Sequence, residues 1–283
     1  MSMEESRTTG QEGTMKILIA GDWHRDAHWA VETIKAARQQ GLRHLIHLGD
    51  LGVFWPSDYP ELPSRTNRFG NAYGFTRSLS EAVRDANIRF MFIDGNNDNH
   101  EFLAQLPRRR GGRAEMMGLT YLPRGTRFRL GRRRFGALGG AYSVDRRQRR
   151  HHVDWWPEEE LTADDVRRLG DGRLDVLLTH EVPSSVELPG LLRLRPETAA
   201  AVNRNRQLVQ AAVEATRPAQ MFSGHWHQRL TVHVPGSETL LQVLDMQRRL
   251  GNSVVLDTKT LSVEQFVQIP GQRNGRTQQE RQT

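Results

Sequence analysis

Cysteine is absent from all 283 residues. Disulfides and thiolate metal sites are thereby excluded, and any metal must be held by carboxylate, amide and imidazole groups. A thiol-free chain of this kind is expected in the cytoplasm. No apolar run approaches the roughly 20 residues that cross a bilayer, so no membrane partner is expected. The stretch 1–14 is polar, carries glutamates and lacks an apolar core, so it does not read as a secretory signal.

The chain is long enough to bury a sizeable core, and a mean hydropathy of -0.64 marks a soluble fold. With no internal repeat or linker, we expect one domain over 15–270, between a flexible tail at 1–14 and a second at 271–283. The formal net charge is +7. Its excess is concentrated at Arg108–Arg110, Arg113, Arg124, Arg127, Arg129, Arg132–Arg134 and Arg146–Arg150. Such a concentration is either a solvated surface or a rim for anions, whether phosphate groups or nucleic acid. The spacing of Tyr121, Phe128, Phe135 and Tyr142 is that of strands filling a core rather than of rings stacking on bases.

Short apolar runs at Lys16–Ala20, His44–Leu48, Phe90–Ile93, Leu174–Leu178 and Met221–Ser223 read as buried strands. A helix is expected from Trp29 to Gln40, capped by Gly41, and another from Leu79 to Ala86. Between them, 51–74 reads as a long loop. Residues 119–142 read as an antiparallel meander, with strands at 120–122, 126–130 and 134–138. A loop over 143–157 should lead into a helix at Glu158–Glu160. A longer helix should span Pro196–Thr216, with final strands at 230–234, 239–243, 253–257 and 262–268.

Each of the five strands ends on side chains that bind metals: Asp22 and His24, Asp50, Asn96, His180, then His225 and His227. Glycine adjoins Asp22, Asp50 and His225, where the backbone must turn sharply and approach an ion. Strand ends hold chemistry in α/β proteins because rigid strands fix side chains while the loops beyond stay open to ligand. Two divalent ions about 3.5–4 Å apart need one shared anionic ligand, an arrangement that clamps the attacking and leaving oxygens of a phosphoryl displacement. Asp50 is the natural bridge. Asp22, His24 and His227 fall around one ion, and Asn96, His180 and His225 around the other.

Asp22-Trp23-His24, Gly49-Asp50, Gly95-Asn96-Asn97-Asp98, Thr179-His180-Glu181 and Gly224-His225-Trp226-His227, in that order between Lys16 and Asp257, resemble the motifs of the calcineurin-like metallophosphoesterases. The resemblance implies a four-layer α/β/β/α sandwich of two mixed sheets flanked by helices, and the same partition of ligands. It also implies hydrolysis of a phosphate ester by a metal-bridging hydroxide. Mn²⁺ leads among the metals, with Fe, Zn, Ni and Mg as alternatives.

One position departs from the pattern. The family carries a histidine after the asparagine ligand, where it helps protonate the leaving group; here Asn97 stands, and an amide can donate a hydrogen bond but cannot deliver a proton. Four explanations compete: a substrate with a good leaving group, a stand-in acid such as His100, an introduced substitution, or a pseudoenzyme. The intact ligand set favours an active or once-active site.

For substrate binding the candidates are Trp55, beside Phe54 and Tyr73 in the loop after Asp50, and Arg146, His151 and His152 near Trp155 and Trp156. Glu181 is a candidate acceptor behind the ligands. His28, His44, His47 and His233 read as packing or surface residues. The expectation is a phosphatase or phosphodiesterase for an anionic, phosphate-containing substrate. Its rivals are a nucleotide- or nucleic-acid-binding regulatory protein, and a nuclease.

Overall fold

The computed structural model describes residues 15–53, 72–109, 111–188 and 194–266. β1 (Lys16–Ala20), α1 (Ala27–Gln39), β2 (His44–His47), α2 (Ala72–Ala86) and β3 (Arg89–Phe92) form a βαβαβ start. α3 (His100–Gln105), β4 (Ala114–Met116), β5 (Leu119–Tyr121), β6 (Thr126–Leu130) and β7 (Arg133–Leu138) follow. Then come α4 (Ala163–Leu169), β8 (Val176–Thr179), α5 (Pro196–Thr216), β9 (Gln220–Ser223), β10 (Leu230–His233), β11 (Leu240–Val243), β12 (Ser253–Asp257) and β13 (Val263–Gln265).

The strands divide into a seven-stranded sheet, ordered β13-β12-β1-β2-β3-β5-β4, and a six-stranded sheet, ordered β10-β11-β9-β8-β7-β6. Both are mixed: β1, β2, β3 and β5 run parallel, as do β7, β8, β9 and β11, with antiparallel strands outside them. Three apolar cores explain the layering. Trp23, Ile34, Phe75, Leu79 and Phe90 pack α1 and α2 onto the outer face of the first sheet. Ile17, Ile46, Phe135, Leu178 and Phe222 fill the seam between the sheets. Leu169, Leu177, Val209, Val213 and Met221 pack α4 and α5 onto the outer face of the second sheet. The alternation of β1 fits this, with Leu18 facing the helices and Ile17 and Ile19 facing the seam. The expected four-layer sandwich is therefore present.

The meander is corrected. β5 pairs with β3 and β4 in the first sheet, whereas β6 and β7 pair in the second. Alternating burial is satisfied by either sheet, so the pattern of 119–138 does not reveal that the chain crosses the seam at Leu122–Gly125. The helix expected at Glu158 is only a three-residue 3-10 turn, Pro157–Glu159. Its acidic residue Glu159 is turned inward, and the regular helix α4 starts later, behind a capping box between Thr162 and Asp165. α2 begins at Ala72, earlier than expected, and α3 and β4 were not expected. Most of the 51–74 loop, with Phe54 and Trp55, lies outside the described residues, as do both tails.

Candidate metal centre

β1, β2 and β3 lie side by side in the first sheet, β8 and β9 in the second, and the ligand residues follow the carboxyl ends of these strands. Asp22, His24, Asp50 and His227 converge, each offering a donor atom within 4.8 Å of the others. His24 Nε2 lies 3.3 Å from Asp50 Oδ2, and His227 Nε2 lies 3.0 Å from Asp22 Oδ2. On the other side of Asp50, His180 Nε2 is 3.2 Å from Asp50 Oδ1 and 3.2 Å from Asn96 Oδ1. The His180 and His225 rings are 5.1 Å apart. The seven residues thus form two groups that meet at Asp50.

The backbone is bent hard to achieve this. His24, Asp50, His225 and His227 all have positive φ, at 43°, 54°, 68° and 49°, a region that costs a non-glycine residue free energy unless its surroundings hold it. Hydrogen bonds supply that hold: His24 N donates to the Asp50 carbonyl at 2.9 Å, and His225 N donates to Asp22 Oδ2 at 3.0 Å. Gly95 and Gly224 are obligatory for space. A Cβ on Gly95 would meet the Asp50 carboxylate and the His180 ring, and one on Gly224 would meet the Asp22 carboxylate.

The donor set fits divalent ions. Asp22 and Asp50 are almost wholly buried, and two buried carboxylates require compensating positive charge. Burial pushes Asp50 upward, yet His180 and His24 hold it well below the usual carboxylate range. Burial alone would lower His180, but Asp50 and Asp22 lift it to about 10, so a proton there does what a cation would do. His225 is driven down to about 3 by burial and then by the His180 charge, which suits a neutral imidazole ligand. The ring nitrogens are also set for ligation. His180 Nδ1 reaches the Leu48 carbonyl at 2.7 Å and His24 Nδ1 reaches Gln247 Oε1 at 2.9 Å, which directs each Nε2 toward Asp50. Behind His225, Glu181 Oε2 is a buried oxygen without a hydrogen-bond donor, 3.8 Å from His225 Nε2. Its other oxygen accepts from Trp226 Nε1 at 2.7 Å. Glu181 therefore stands where an acceptor for a metal-bound histidine is needed.

The family model for calcineurin-like phosphoesterases matches residues 15–229. The chain belongs to that family. A dimetal phosphatase from Danio rerio has a similar structure, with TM-score 0.54 and 11% identity over 90% of this chain and 97% of that one. An archaeal phosphodiesterase gives TM-score 0.46 and 11% identity over 88% of this chain and 98% of that one. A search of curated proteins found no match.

Within this calcineurin-like phosphoesterase, Asn97 sits on the Asp50 carboxylate: its backbone N donates to Asp50 Oδ1 at 2.7 Å and its Nδ2 to Asp50 Oδ2 at 2.5 Å. His100 is turned elsewhere. Its Nε2 meets the Gly95 carbonyl at 2.9 Å, its Nδ1 is 3.9 Å from Asp94, and burial first of all lowers it to about 4. His100 Nε2 is thus held by a backbone carbonyl of the ligand loop, and no contact joins the ring to the Asp50 carboxylate that Asn97 touches. Arg146 pairs with Glu160 at 3.0 Å and lies over the Tyr142 ring, so its charge is already engaged. His151 and His152 are exposed, with ring centroids 3.8 Å apart, and His152 faces Glu101 at 3.6 Å. Trp55 lies outside the described residues.

Other arginines of the basic stretch also have internal work. Arg124 binds Asp94 and the carbonyls of Glu159 and Glu160, and Arg127 binds the Leu169 carbonyl at 2.7 Å. Arg149 pairs with Asp145, Nε to Oδ1 at 2.8 Å, and its Nη1 approaches the Asn96 carbonyl at 3.4 Å at the rim of the centre. Sequence reasoning missed three supporting residues. Asp98 accepts from the backbone N of Asp50, Gly52 and Gly95 at 3.0, 2.7 and 2.7 Å and so ties two ligand loops together. Burial first, then Asp50, lifts it to about 6. Asp98 belongs to the Gly95-Asn96-Asn97-Asp98 motif, whereas Ser143 and Glu159 belong to no motif at all.

Proposed function

We propose that this protein is a binuclear metal hydrolase for phosphodiesters, nucleotides or other phosphate esters and anhydrides. The observation that carries the reading is the pair of ligand groups sharing Asp50. Asp22, His24, Asp50 and His227 would hold one divalent ion, Mn²⁺ by preference, and Asp50, Asn96, His180 and His225 the other. Such ions supply Lewis acidity and activate water as a nucleophile at neutral pH.

The protein's own residues narrow the substrate. Asn97 donates to both oxygens of Asp50, through its backbone and its amide, and so steadies the shared carboxylate. It has no proton to give a departing alkoxide. Leaving groups that are already weak bases, such as phosphates and phenolates, need none.

Restoring the imidazole tests this. With Mn²⁺, Asn97→His is expected to raise turnover of alkyl phosphate esters by up to about 10²-fold and to change aryl esters and anhydrides far less. If neither chain turns over any mono-, di- or anhydride substrate, the enzyme reading falls and the regulatory one, favoured by Asn97, takes its place.

A further inference from the structure

Asn96 is the one ligand whose two ends differ: its oxygen can bind a cation and its nitrogen cannot. What decides which end faces the centre lies behind it. Asn96 Nδ2 is 3.0 Å from Ser143 Oγ, and Ser143 Oγ is 2.7 Å from Glu159 Oε2. The other Glu159 oxygen accepts from Ser143 N at 2.8 Å. All three side chains are buried, Glu159 completely.

The proton count allows one arrangement. An ionised carboxylate only accepts, so the single hydroxyl proton of Ser143 goes to Glu159. Ser143 Oγ is then left as an acceptor toward Asn96, which must present its NH₂ there. Asn96 Oδ1 consequently points the other way, 3.2 Å from His180 Nε2. Glu159 is itself anchored to the strand end that carries Asn96. Its carbonyl accepts from Arg124 Nη2 at 3.0 Å, and Arg124 Nε donates to Asp94 at 2.8 Å.

We propose that Glu159 is a positioning residue which, through the Ser143 hydroxyl, orients the Asn96 amide so that its oxygen faces the second cation position. The inference rests on the metal-centre reading above. Glu159→Gln keeps the shape and inverts the polarity: an amide nitrogen facing Ser143 Oγ takes its acceptor role, and the hydroxyl proton turns to Asn96 Oδ1. The wrong end of Asn96 then faces the cation.

The test is calorimetric titration of Mn²⁺ into the metal-free full chain, with electron paramagnetic resonance reporting coupling between paired ions. Burial, the largest influence, lifts Glu159 to about 7, so the titration is run above that pH, where the carboxylate is ionised. The native chain is expected to take two equivalents. Glu159→Gln should weaken one of them about 10–100-fold, abolish the coupled signal and leave the other unchanged. Adding Asn96→Asp, whose oxygens are both acceptors, should restore the lost equivalent. Equal binding of both ions by Glu159→Gln, or a double variant as weak as the single one, overturns the proposal. Should Glu159→Gln lower the thermal midpoint of the metal-free protein, Ser143→Ala is read instead: selective weakening of one equivalent supports the proposal and unchanged binding overturns it. A native chain that takes up no Mn²⁺ defeats the metal centre itself, and this inference with it.

Discussion

At the scale of single residues, the site is defined as much by what is missing as by what is present. Gly95 has no Cβ, and the space a Cβ would occupy is filled by Asp50 and His180. Gly95→Ala is therefore expected to cost about 1–3 kcal/mol in urea unfolding of the metal-free chain and to abolish metal uptake. His47 offers the opposite case. It is fully buried against Trp23 and Phe90, and neither ring nitrogen has a hydrogen-bond partner. Burial lowers its pKa to about 3, so the unfolded chain binds a proton below about 6.5 that the folded chain refuses. This contribution is complete above 6.5 and drains away as pH falls toward 3. His47→Phe should accordingly gain about 2 kcal/mol more over the native chain at pH 5 than at pH 8, read from urea curves in chelator. A constant difference between the two pH values would show that His47 does not titrate in this way.

At the scale of elements, the strands were legible and the short pieces between them were not. β1, β12 and α5 fall where the apolar pattern placed them, because each has a full run of residues obeying one period. α4 has seven residues, too few for periodicity to show, and its signal was Thr162-Ala-Asp-Asp165, a capping box. Asp165 also lies 3.7 Å from Arg124, which joins it to Asp94 and the Glu159 turn. Thr162→Ala should thus cost about 1 kcal/mol, and Asp165→Ala measurably more in the same denaturation assay. Arg124→Met leaves the buried Asp94 carboxylate uncompensated and is expected to cost about 3–5 kcal/mol. The ligands were legible because each follows a strand in a tight motif. Ser143 and Glu159 were not, since they meet across a loop whose path only the folded chain reveals.

At the scale of the molecule, four ligand residues come from the first sheet and three from the second, so the centre straddles the seam. Bound ions would tie the sheets together. Saturating Mn²⁺ is expected to raise the thermal midpoint, by the equivalent of about 2.7 kcal/mol at a hundredfold excess over Kd, and chelator should reverse it. A midpoint indifferent to Mn²⁺ would mean that no such tie forms.

The position of β1 has a consequence for how the chain is made. β1 is an inner strand, with β2 on one side and β12 on the other, and Lys16 pairs with Asp257. During synthesis, β2 is at hand almost at once, whereas β12 emerges more than two hundred residues later. Until then β1 presents an open row of backbone donors and acceptors to any passing strand. A nascent chain of this protein is therefore expected to be most vulnerable to sticking and to proteolysis just before its own last strands leave the ribosome.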